Sequence, residues 1–280
     1  MHRPTKGMPL ARGKGTRSSA VSTDTVPKKR FPILEFDSSS AAVIEPTRII
    51  EPTDIPEHAV VCFFQDAIEC VARKSKAKVV AHLLSEMGRT PVYRIRYKGK
   101  ECALFHPGVG APLAAGSLEE AIALGCHKFV VCGGAGVLRK NIAAGHIIVP
   151  KLAVRDEGTS YHYVAPGREV GASKEGVDAI LRTLKRHSRP YLVGKTWTTD
   201  AFYRETPRKA QLRRSEGCLT VEMEASALFA VAKFRGVTLA QMLYGGDDIS
   251  SKVWDTRSEK NRGRIREQLI WLAIESCLEL

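Results

Sequence analysis

Two carboxylates flank a methionine inside an otherwise apolar run, at Glu222-Met223-Glu224. A carboxylate in such a run is costly unless it has a partner, so the pair needs an explanation. From Ala225 onward Ala225, Leu228, Val231 and Ala232 recur at helical spacing, and Gly236 is placed to end the helix. Lys233 and Arg235 sit where the negative end of the helix dipole favours cations. Two residues apart on a helix, Glu222 and Glu224 would point roughly opposite ways and could not serve one face. If the helix begins near Glu224, that carboxylate lies by the positive end of the dipole, an anionic acceptor suited to a polyol such as a ribose diol. A helix-capping acid with a buried ion pair accounts for the same residues equally well.

Other residues with chemical potential lie at the ends of apolar runs. LAQMLYGGDDIS (Leu239 to Ser250) reads as a strand ending in Asp247-Asp248. Neighbouring carboxylates raise one another's pKa, which makes a general acid there; an Asp capping the next segment is the alternative. YLVGKTWTTDAFYRETPRK (Tyr191 to Lys209) is a strand entering a loop that offers Thr198, Thr199, Phe202, Tyr203 and Arg208. Aromatic rings with nearby hydroxyls and an arginine suit a stacked heterocycle, and equally a piece of core. Two glycine-rich stretches follow apolar runs: Gly108 and Gly110 lead into a helix, and KFVVCGGAGV (Lys128 to Val137) runs into Gly133, Gly134 and Gly136. Strand, glycine turn and helix, taken twice, describe a largely parallel sheet with ligand loops at the carboxyl ends of its strands. The spacing is not the dinucleotide fingerprint.

Positioning these residues takes a sizeable core. The 280 residues, 44% of them hydrophobic, suffice for one large α/β domain. HAVVCFF (His58 to Phe64) is a continuous apolar run, as in a strand buried on both faces, and a helix follows from about Asp66 to Lys74. Lys76 to Leu84 reads as a strand, and Val92 to Pro107 as a hairpin around Tyr97-Lys98-Gly99-Lys100. HIIVP begins a further strand, Lys174 to His187 a helix, and Thr256 to Leu280 a last helix, basic on its outer side. FPILEF and AAVIEP, punctuated by proline, read as edge strands or docking segments.

The net charge of +13 is unevenly spread: residues 1–30 carry eight Lys/Arg against Asp24 alone. We therefore expect a basic, disordered tail over 1–30 and a single domain over 31–280. With more than half of the excess in the tail, nucleic acid is not the expected partner. Seven scattered cysteines without a CxxC pair read as reduced core residues of a cytoplasmic protein, and eight histidines without ligand-type spacing predict no metal. No run approaches the roughly 18 apolar residues of a membrane span.

VEMEASAL, the turns GVGAP and VVCGGAGV, and the block VRDEGTSYHYVAP together resemble the trimeric and hexameric nucleoside phosphorylases. VRDEGTSYHYVAP and TTDAFYRETPR are most similar to the uridine phosphorylase branch, and the resemblance covers roughly Ile55 to Ser250. It implies a three-layer α/β/α sandwich with a central, mostly parallel, mixed sheet. It also implies reversible cleavage of a nucleoside's N-glycosidic bond, with inorganic phosphate as co-substrate, no cofactor, and a homo-oligomer of two to six copies. Carried over, Glu224 accepts hydrogen bonds from the ribose hydroxyls, Met223 lines the ribose, and Glu222 sits beside it. Phe202 stacks the base, Arg208 matches an arginine that recognises uracil carbonyls, and Asp247 falls near an aspartic acid that protonates purines. Thr206 stands where the uracil site has a glutamine, so purine and pyrimidine both remain open.

The phosphate site departs from the pattern. Gln65-Asp66-Ala67-Ile68-Glu69 has neither the Gly nor the Arg of the family's GDPxR loop, and Val131 and Gly134 stand at the later Arg and hydroxyl positions. A dianion without cations in a dry pocket is badly placed. The expected substitutes are Arg89 and Arg139, beside the backbone of Gly108, Gly110, Gly133 and Gly134. The alternatives are an N-ribosyl hydrolase, with Asp66 or Glu69 activating water, and a non-catalytic nucleoside-binding protein.

Overall fold

The computed structural model describes residues 25–257 and 262–280. Most of the expected tail, residues 1–24, lies outside the described residues; residues 25–30 are exposed. The chain enters through α1 (Pro46–Ile49) and then builds β1 (His58–Cys62), α2 (Gln65–Lys74), β2 (Lys78–Ser85), β3 (Gly88–Tyr97), β4 (Lys100–Phe105) and α3 (Ala111–Leu124). Next come β5 (Lys128–Val137), β6 (Ile147–Asp156), β7 (Glu169–Gly171), α4 (Lys174–Arg186) and β8 (Tyr191–Thr199). The last elements are α5 (Pro207–Ser215), β9 (Cys218–Glu222), α6 (Ala225–Arg235), β10 (Thr238–Asp248) and α7 (Arg262–Cys277).

Among the described residues, ten strands join one mixed sheet. β5 is its axis, with β1 and β10 parallel to it on its two sides. β1 stops at Cys62, and beyond it β9 takes over that edge, Gly136 facing Val221. Since β9 pairs with β8, β8 with β6 and β6 with β10, these strands close a ring on β5. β4, β3 and β2 form a wing beyond β1. The gap where β1 ends and β9 begins lies beside the middle of β5, and a cavity lined by Glu222, Met223 and Glu224 opens there.

Helices cover both faces. One core packs Ile68 and Val71 of α2, Ile180 of α4 and Ile270 of α7 against Val60 and Val130. The other packs Leu118 of α3 and Leu228 of α6 against Val61 and Phe129. This is the three-layer α/β/α arrangement. α6 is buried from Ala225 to Ala232, and Gly236 ends it in the left-handed conformation, φ 68°.

Three expectations fail for identifiable reasons. VVCGGAGV does not turn: Gly133, Gly134 and Gly136 lie inside β5, and a loop leads on to β6 where a helix was expected. The glycines serve close approach. A Cβ on Gly133 would lie 3.2 Å from the Phe63 ring, and one on Gly134 3.2 Å from Tyr244. FPILEF forms a single 3-10 turn at Pro32–Leu34, and Ala41 to Glu45 carries no strand; of the two readings of these segments the edge strand fails, while the second segment docks through Glu45, which is buried and pairs with Arg235 of α6 at 2.8 Å. The last helix begins at Arg262 and not at Thr256; Arg262 and Arg264 are exposed as expected, but Arg266 turns inward, and residues 258–261 of the expected helix lie outside the described residues.

Candidate functional site

The β9–α6 junction presents the two carboxylates differently. Glu222, the last residue of β9, folds back over the start of α6, and its Oε2 accepts the N–H groups of Glu224 (2.8 Å) and Ala225 (2.6 Å). Its Oε1 accepts the Thr198 hydroxyl at 2.7 Å. The carboxylate thus satisfies two backbone N–H groups at the helix N-terminus, and the Thr198 hydroxyl anchors it there. Thr198 Oγ1 in turn accepts the Ser226 N–H at 3.0 Å, and the Ser226 hydroxyl donates to Glu157 at 2.8 Å. Glu157, Glu222 and Glu224 are all buried.

Glu224 receives less. Its Oε1 accepts the Gly110 N–H at 2.7 Å, and its Oε2 a longer bond from the Met223 N–H, 3.3 Å. Gly110, at φ 91°, caps α3, so the β4–α3 turn and the β9–α6 junction meet through this one contact. Burial, then the neighbouring Glu222 anion, push the Glu224 pKa up, against the pull of the two backbone donors. A further donor that favours the anion, such as a ligand hydroxyl, relieves that cost.

Glu222, Met223 and Glu224 line a cavity of about 270 Å³ together with Phe63, Phe64, Gly133 and Gly134. Gln241 and Tyr244 of β10 and Arg266 of α7 line it too. Of the expected ligand contacts, the structure therefore brings together the ribose triad, the β5 glycines and, through Glu224, Gly110. Gly108 lies two residues earlier in the same turn, where its N–H donates to His106 Nδ1 at 2.9 Å.

The other expected residues lie outside this cavity. Arg208 lines a separate groove of about 590 Å³ with Thr206, Arg214, Ser250 and Lys252. Phe202 is half exposed and stacks on Tyr203 with ring centroids 4.0 Å apart. Asp247 accepts the Trp254 indole N–H at 2.7 Å, and its carboxylate lies against Gly136 of β5. Arg89 is exposed on the β2–β3 hairpin, and Arg139 is exposed just after β5. Neither cation lines the cavity of its own chain. Asp66 and Glu69, on the exposed start of α2, do not line it either; Asp66 pairs with Arg266, and Glu69 accepts from the Gln65 side chain.

Sequence reasoning missed Phe63, Phe64, Gln241, Tyr244, Arg266 and Glu205. Burial, then the negative charge of Asp247, push Glu205 up to about 7. One signal for Arg266 was present: it stands in helical register with Leu269, Ile270, Ala273 and Cys277, an arginine on an apolar stripe.

Comparison with known proteins agrees with this geometry. The phosphorylase superfamily model matches residues 57–274. A guanosine phosphorylase of Halorubrum lacusprofundi is 24% identical over 193 residues, 69% of this chain and 79% of that one. A uridine phosphorylase of Thermococcus kodakarensis is 30% identical over 156 residues, 51% of this chain and 56% of that one. Among solved structures, a uridine phosphorylase from Vibrio fischeri superposes with a TM-score of 0.71 at 24% identity, covering 84% of this chain and 98% of that one. An AMP nucleosidase from Bacteroides thetaiotaomicron superposes at 0.66 and 20% identity, covering 81% and 88%. With the fold, the β9–α6 junction and the family match in agreement, the chain belongs to the phosphorylase superfamily.

Proposed function

We propose that this chain is a nucleoside phosphorylase, cleaving the N-glycosidic bond of a purine or pyrimidine ribonucleoside with phosphate to give ribose 1-phosphate and the free base. The observation that carries the reading is Glu224: a buried carboxylate in the cavity wall, held by one short bond from Gly110 and with its other oxygen only weakly occupied. The ribose 2′- and 3′-hydroxyls supply those donors, and Glu222 fixes the junction that aims Glu224 at them. A phosphate oxygen then forms a bond to C1′ while the C1′–N bond breaks and its electron pair leaves with the base. Asp247 is the residue we assign to deliver a proton to a purine leaving group, and Phe202 and Arg208 to face the base. All three lie outside the cavity, so this part of the reading requires their segments to approach it, or a neighbouring copy to complete it. A homo-oligomer of two to six copies belongs to this reading, with Arg89 offered across the interface and Arg139 and the β5 glycines beside the phosphate.

Cytoplasmic location also belongs to the reading, since all seven cysteines are unpaired and stay so in a reducing compartment. Among the described residues no helix is long and apolar enough to cross a membrane.

One observation favours a second reading, hydrolysis: Phe63 and Phe64 line the cavity just after β1, and Gln65 and Glu69, which stand at the family's glycine and arginine positions, do not reach it. The deciding experiment is base release from a panel of purine and pyrimidine nucleosides, with and without phosphate, after phosphate-free purification. Strict phosphate dependence supports the phosphorylase. Phosphate-independent release giving free ribose establishes the hydrolase, and silence on the whole panel overturns both in favour of a nucleoside-binding protein.

A further inference from the structure

The cavity holds two carboxylates and, among its described lining residues, one cation, Arg266 of α7. The guanidinium lies 4.7 Å from the centroid of the Phe64 ring, and its Nε is buried without a partner. Its Nη1 donates to Asp66 Oδ1 at 3.1 Å and Oδ2 at 3.3 Å. The Asp66 side chain is 62% exposed and that of Arg266 25%, so the partner stands in solvent while the cation reaches inward. A pair whose carboxylate stands in solvent contributes little, and a carboxylate in the first turn of α2 keeps the helix dipole for company when the arginine leaves it. Across the cavity, Gln241 is 1% exposed, and its Oε1 has no hydrogen-bond partner. A primary amide offers N–H donors to P–O⁻ and an acceptor to P–OH, which matches hydrogen phosphate.

We propose that Arg266 and Gln241 form the phosphate-binding subsite of this cavity, and that Asp66 is an internal counter-ion which the incoming phosphate displaces. The subsite rests on the cavity being the reaction site, and it relocates the missing cation from the β1–α2 loop to the C-terminal helix. Its ligand is a phosphate group, either free or as the 5′-phosphate of a nucleotide.

The test is titration of the full chain with inorganic phosphate and, separately, with uridine 5′-monophosphate and adenosine 5′-monophosphate. Wild type is compared with Arg266→Gln, Arg266→Lys and Asp66→Asn, each checked for folding by thermal melting. Arg266→Gln should weaken the ligand about ten- to a hundredfold, with Arg266→Lys recovering part of the loss. Asp66→Asn should strengthen it about two- to fivefold, because the competitor has gone. That gain is not expected of a merely structural ion pair, and it carries the test if Arg266→Gln does not fold. Loss of inorganic phosphate identifies the free ion as the ligand; loss confined to the monophosphates identifies the 5′-phosphate. Unchanged binding of all three ligands in Arg266→Gln, or no gain in Asp66→Asn, overturns the proposal. Phosphate-dependent turnover with an unchanged phosphate KM in Arg266→Gln would leave the phosphorylase reading standing and remove the subsite. Arg266-dependent phosphate binding without phosphate-dependent turnover would do the reverse.

Discussion

The two walls of the cavity are built on opposite plans. At the β9–α6 junction three consecutive residues, Glu222 to Glu224, line the cavity, and the hydrogen bonds that position them come from within the junction and two neighbouring elements. At the β1–α2 loop the wall is apolar. Phe63 lies against Gly133, and Phe64 packs on Tyr244 with ring centroids 5.6 Å apart. The polar group on that side, Arg266, arrives from a helix some 200 residues further along the chain. A function carried by adjacent residues leaves a motif; one assembled from distant elements leaves only isolated residues in unusual places.

The contrast can be broken at either wall. Phe64→Ala removes a ring that is 4% exposed and belongs to the core beneath α2 and α7. It should cost about 3–5 kcal/mol of stability, read by chemical denaturation. A loss below about 1 kcal/mol would mean the loop is a mobile cover and not a wall. Glu224→Ala should lower kcat/KM about a hundredfold, since it removes two hydrogen bonds to a charged acceptor, ~3 kcal/mol in all, while the melting curve moves little. Normal turnover by the folded variant would sink the ribose assignment.

Glu222→Ala sharpens the difference within the junction itself. It strands the N–H groups of Glu224 and Ala225 and the Thr198 hydroxyl. The expected cost is about 2 kcal/mol of stability. Two neighbouring acids should therefore separate, one in kinetics and one in melting; equal effects on both would erase the distinction.

The smallest effect is one of pH. Glu205 is pushed from an ordinary 4.5 up to about 7, so between those values the folded chain binds more protons than the unfolded chain. Stability from this group is fully present below pH about 4.5 and is lost as pH rises through about 7. Glu205→Gln should flatten that decline in a series of melts from pH 4.5 to 7.5. An unaltered slope would show that Glu205 titrates normally and that Asp247 exerts no influence on it.

Much of the scaffold was legible residue by residue. The apolar run at His58 to Cys62, the Lys98-Gly99 turn and the helix from Ala225 to its stop at Gly236 are local signals, and each element formed where its pattern lay. VVCGGAGV misled because glycine marks both turns and close packing. Only the rings of Phe63 and Tyr244, brought in from other strands, distinguish the two. Phe202 and Arg208 were placed by resemblance beside a base, yet in this chain they occupy an exposed turn and a separate groove.

By itself the sequence determined most of the elements, the family, and Glu222 and Glu224 as the pair of acids to be explained, because caps, periodicity and a three-residue motif act over a few residues of chain. The tertiary structure alone decided that Glu222 is spent on capping α6, that β9 replaces β1 along β5 to open the cavity, and that Arg266 faces that cavity opposite Gln241. Those outcomes depend on strand order and helix docking between segments far apart in the chain, and no local pattern encodes which buried face an arginine will meet.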